Sequence, residues 1–178
     1  MRQKTLWLVR TALMLALLIA LQALTKPLGQ LVTGSCVNAL LALTALLLGR
    51  GSGAVVALLS PVFAFVLGIA PQILTVPAIM AGNLVYVLLL ALPVRAPWQR
   101  ALAWLAAAAA KFALLYAAVA GLLCSLLADA LLAQGLLKAP MLTALPATFS
   151  WPQLLTALIG GGVALLLAPI LQKTVHPR

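Results

Sequence analysis

Acid is almost missing from this chain: its 178 residues hold a single carboxylate, Asp129. General acid/base pairs, hard-metal sites, carboxylate proton relays and nucleotide hydrolysis around a carboxylate-held Mg²⁺ all draw on Asp or Glu, so the chain alone has none of these chemistries. One His and two Cys are too few to replace them. The cysteines, Cys36 and Cys124, form no CxxC spacing and sit in or beside apolar segments, as packing thiols do. Neither a metal nor a cofactor is expected, and the chain is not read as an enzyme. A membrane serine protease, for example, would need a His near Ser35, but His176 lies at the far end of the sequence. The basic residues form no patch or aromatic-interleaved face, so nucleic acid is not an expected partner despite the net charge of +10.

What remains is apolar. Hydrophobic residues make up 66% of the chain, and Leu and Ala account for 81 positions. A soluble domain of this size cannot hide so much apolar surface, and the long unbroken runs call for helices rather than alternating strands. The expected fold is therefore an all-α integral membrane protein, a single domain over 1–178. It is a six-transmembrane-helix bundle with spans near 6–25, 31–49, 53–70, 73–92, 101–127 and 153–171. The first apolar run is too long for a signal-peptide core and is read as an uncleaved span.

Charge sets the orientation. With both termini cytoplasmic, that side carries Arg2, Lys4, Arg50, Arg95, Arg100, Lys173 and Arg178, and Arg10 can snorkel to join them. The outer side keeps only Lys26, Lys138 and Asp129. It also has the longest connection, from Ala128 to Pro152, which is too apolar to float in water and is expected to fold back as a lid or partial helix. Pro61 and Pro77 are expected to kink the third and fourth spans.

A few polar residues inside the spans are the candidate site. Lys111 falls about 16 Å along its helix from Arg100, near the bilayer midplane. A cation there costs about 2.5–3.5 kcal/mol on insertion scales and normally faces a cavity or partner. No span contains an acid to pair with it, so a substrate carboxylate or phosphate would meet the need. The competing possibility is that Trp104 marks the interface and Lys111 snorkels inward. Asn38 and Asn83 are either ligands or glue between helices. Gln153 and Thr156 begin the last span from the outside. Span one carries Ala12, Ala16 and Ala20 at four-residue spacing, a stripe that lets another helix approach closely.

These features resemble the substrate-binding (S) components of energy-coupling factor transporters. The resemblance extends over nearly the whole chain. It rests on the six spans, the Ala12/Ala16/Ala20 face, Thr33-Gly34-Ser35 leading into Val37-Asn38-Ala39-Leu40, Gly82-Asn83, and Ser150-Trp151-Pro152-Gln153 before Thr156-Ala157-Leu158-Ile159-Gly160-Gly161. It implies a multi-pass protein of a prokaryotic cell membrane that binds a vitamin or similar micronutrient near the outer face. Asn38, Asn83, Lys111, Trp151 and Gln153 are its substrate-binding candidates. It further implies docking through the alanine face onto a transmembrane coupling subunit with two ATPase subunits. No substrate-specific signature is complete, although Lys111 favours an anionic solute. The rival expectation is a stand-alone secondary transporter or facilitator, which the lack of membrane carboxylates restricts to uncoupled transport.

Overall fold

The computed structural model describes residues 2–175, so His176 and Arg178 lie outside the described residues. The chain is helical along nearly its whole length. The elements are α1 (Arg2–Thr25), α2 (Gln30–Val66), α3 (Val76–Leu90), α4 (Pro97–Tyr116), α5 (Ala128–Ala133), α6 (Met141–Thr148) and α7 (Trp151–Val175). A wider, π-helical stretch, Ala117–Leu126, continues α4. Among the described residues, five helices are long and apolar enough to cross a membrane.

This count differs from the expected spans at one place. Segments 31–49 and 53–70 are joined in α2, whose backbone leaves helical geometry only at Gly49 (φ 84°, ψ −177°). That φ favours glycine, and here it reverses the chain. A Cβ placed on Gly53 would lie 3.4 Å from the Cα of Ala45, whereas eight residues of straight helix span about 12 Å. The two arms of α2, 30–48 and 50–66, therefore pack against each other.

The proline expectation is corrected at Pro77: Pro61 lies inside the second arm, whereas Pro77 stands in the first turn of α3. There its missing N–H removes no intrahelical bond, so it starts the helix instead of bending it.

Polar ties gather the connections at two ends. At one, Arg50 Nε donates to the Ala91 carbonyl at 3.3 Å, Gln172 Nε2 to the Leu46 carbonyl at 3.4 Å, and Gly51 lies beside the Trp7 ring. Arg10, Arg50, Arg95 and Arg100 all belong to the elements meeting there. At the opposite end Lys26 Nζ donates to the Leu67 carbonyl at 3.0 Å. Gln30 Nε2 donates to the Thr148 carbonyl at 2.7 Å, and Gln72 Nε2 to the Leu136 carbonyl at 2.6 Å. The long connection after Ala128 supplies α5 and α6, and its Leu137, Leu145 and Phe149 are buried against Leu115 and Val119. The main core lies toward the basic end, built from Leu41, Val56, Tyr86, Val87, Ala107, Ala108 and Ala164.

One crossing fixes the relation of α7 to α2. A Cβ on Gly160 would lie 2.5 Å from the Ser35 carbonyl oxygen and 2.6 Å from both Ala39 N and Asn38 Cβ. Only glycine permits this backbone-to-backbone approach, and it holds α7 directly against the turn of α2 that carries Asn38.

Candidate substrate-binding site

The helices bring three of the polar candidates to one point. Lys111, on α4, is 3% exposed. Its Nζ donates to Asn38 Oδ1 of α2 at 2.5 Å and to Asn83 Oδ1 of α3 at 2.7 Å. Asn38 Nδ2 in turn donates to Thr156 Oγ1 of α7 at 3.2 Å, so four helices contribute to the cluster. The Tyr86 ring lies 5.3 Å from the same ammonium, within cation–π reach, and is held there by its hydroxyl donating to the Ala157 carbonyl at 2.9 Å. Lys111 therefore turns into the bundle, which removes the snorkelling alternative.

Both oxygens that receive the ammonium are neutral. They satisfy two of its three donors and disperse part of the charge, but they do not cancel it. The charge itself meets no acidic side chain in the cavity wall.

A cavity of about 300 Å³ opens above this cluster, with Lys111, Asn38, Asn83 and Gln153 in its wall and no acidic residue among its lining. That volume is at the small end of the range for ligand sites, about 300–1,000 Å³. Lys26, Gln30, Ile69, Thr148 and Phe149 also line it, on segments that meet at the end opposite the arginines. The cavity wall thus carries two cations, Lys26 and Lys111.

The candidates named from sequence fare unequally. Asn38, Asn83, Lys111 and Gln153 share the cavity, but Trp151 does not line it and is 62% exposed. Sequence reasoning missed Gln22 and Ser60, both of which line the cavity from α1 and the second arm of α2. Gln22 had a usable signal: an amide in an otherwise apolar run is as unusual as Asn83. Ser60 had none, because an isolated Ser is common in membrane helices. Away from the cavity, Ala12, Ala16 and Ala20 are all exposed on α1, while Thr11, Leu18 and Gln22 of the same helix are buried.

A bundle of membrane-length helices with an open, lysine-bearing cavity has the architecture of proteins that bind a solute within the bilayer. The family follows from the sequence match: residues 7–172 fit the family model described as ECF transporter, substrate-specific component, and the chain belongs to that family. No curated protein and no solved structure gives a significant match. The chain is thus a multi-pass membrane protein and a substrate-binding subunit of a transporter, in a family of transport proteins that work with an energy-coupling module.

Proposed function

We propose that the chain captures a small, vitamin-like anion from outside a prokaryotic cell and passes it to an ATP-driven partner. The observation that carries this reading is Lys111. Its ammonium is buried at the floor of a small cavity, received only by the neutral oxygens of Asn38 and Asn83, with no acid in the cavity wall. An anionic solute would supply the missing charge in a low-dielectric setting where that pairing is strong.

Orientation in this reading follows the positive-inside rule: the arginine-bearing end and both termini face the cytoplasm, and the cavity opens outward. The two arms of α2 count as separate crossings, giving six. Ala12, Ala16 and Ala20 form the docking face for a transmembrane coupling subunit that carries two ATPases. Their exposure on α1 supports this, since small side chains allow close backbone approach. Asp129 is exposed in the first turn of α5, away from the cavity lining, so no acid is available there for proton or cation coupling.

Co-purification and reconstitution test the reading. Tagged protein should bring down an ATPase-bearing complex, and uptake into vesicles should require ATP. A bulky substitution, Ala16→Trp, should abolish uptake while substrate binding persists. Transport by the isolated chain without ATP would make it a stand-alone facilitator instead.

A further inference from the structure

Two polar groups in the cavity wall take no part in the Lys111 cluster. Gln22 on α1 is 5% exposed and Ser60 on α2 is 1% exposed. Gln22 Oε1 and Ser60 Oγ are both buried and have no hydrogen-bond partner among the described residues. Both residues line the same cavity as Lys111.

Ser60 departs from the local habit of this bundle. Thr11, Thr25, Ser35 and Thr44 each donate their hydroxyl to the carbonyl four residues back, at 2.7–2.8 Å. That is the usual way for a helical hydroxyl to satisfy itself in an apolar setting. Ser60 makes no such bond. An unsatisfied buried polar group is costly, more so where no bulk water can reach it, so two in one small cavity point to a ligand that completes them.

We infer that the cavity is two-ended: Lys111 and Asn83 receive the anionic group, and Gln22 with Ser60 forms a second subsite for an uncharged amide or hydroxyl on the same molecule. The chemistry of the second subsite is set by its members. A carboxamide and a hydroxyl can each donate and accept, but neither carries charge, so they pair best with a group that does the same. Hydrogen bonding to such a group discriminates strongly against an analogue that lacks it, because the analogue leaves the protein groups unpaired. The cavity is at the small end of the ligand range, so both groups must sit on one compact solute. This inference rests on the anion reading above and deepens it by naming a second recognised group.

The test compares two probe series on the purified full chain by calorimetry. One series is the ω-amido carboxylates succinamate, glutaramate, adipamate and pimelamate; the other is the straight-chain alkanoates of matching length. At one chain length the amide should bind wild-type protein roughly tenfold more tightly than its alkanoate. The Gln22→Leu/Ser60→Ala double variant should bring the two series to equal affinity, and Lys111→Met should weaken both together. Equal binding of the two series by wild-type protein would overturn the second subsite while leaving the anion reading standing, and this comparison needs no variant to fold. A preference that survives in the double variant would also overturn it. If neither series binds, or if Lys111→Met leaves both unaffected, the anion reading itself fails.

Discussion

The half of the bundle toward the arginines and the half toward the cavity are built from the same helices, yet they differ in kind. In α3, Asn83 faces Lys111 while Tyr86 and Val87, within about one turn, belong to the apolar core. In α2, Asn38 lines the cavity and Leu41 is fully buried in the core; in the second arm Ser60 lines the cavity and Val56 is in the core. The contrast teaches that this protein carries an apolar core and a polar cavity wall on one set of helices. The core can bear the loss of dispersion contacts poorly, because a bilayer gives no hydrophobic reward for burying Leu against Leu and packing is most of what holds the helices together.

Substitutions at each half separate the two roles, and the largest effect is expected at their junction. Gly160→Leu forces a side chain into the backbone of α2 and should destabilise the fold by more than about 3 kcal/mol, read as loss of monodisperse protein and of thermal stability. A well-folded variant would show that the α2–α7 crossing can slide.

In the core, Leu41→Ala should cost about 2 kcal/mol of stability, mainly the cavity share of the usual penalty, since transfer to lipid recovers the rest. Its substrate affinity should match wild type. A drop in affinity without a drop in melting temperature would show that the two halves are coupled.

At the cavity wall affinity falls too. Lys111→Met should weaken binding roughly tenfold to a hundredfold, the worth of a charge-assisted hydrogen bond. The unliganded protein should lose about 1–3 kcal/mol of stability, because the buried oxygens of Asn38 and Asn83 lose their donor, but it should stay folded. Collapse of the fold instead would make Lys111 structural glue for α2, α3 and α4.

The smallest effect belongs to Trp151→Ala, expected within about 0.5 kcal/mol in both binding and stability because the ring is mostly exposed and outside the cavity. A large loss of affinity would extend the site beyond the cavity mouth.

Much of this arrangement was legible in the residues. Charge at the ends of apolar runs marked the helices to within a few positions, and the break between the expected spans 31–49 and 53–70 falls beside the reversal that the backbone makes at Gly49. Lys111 announced itself through cost: an ammonium deep in a span must find partners. Trp151 adjoins the polar start of α7 yet does not line the cavity, since nearness in sequence to Gln153 does not mean a shared face.

Sequence by itself determined that this is a helical membrane protein, which end of the bundle is basic, and that a buried cation lacks a protein acid. Tertiary structure alone decided that Asn38 and Asn83 are the groups that receive Lys111, that Gln22 and Ser60 share its cavity, and that Trp151 does not. The physical reason is rotational. Helices that are apolar on every side carry no stripe to show which way each one points. Their facing is set by packing contacts such as Gly160 against α2, and those exist only once the chain is folded.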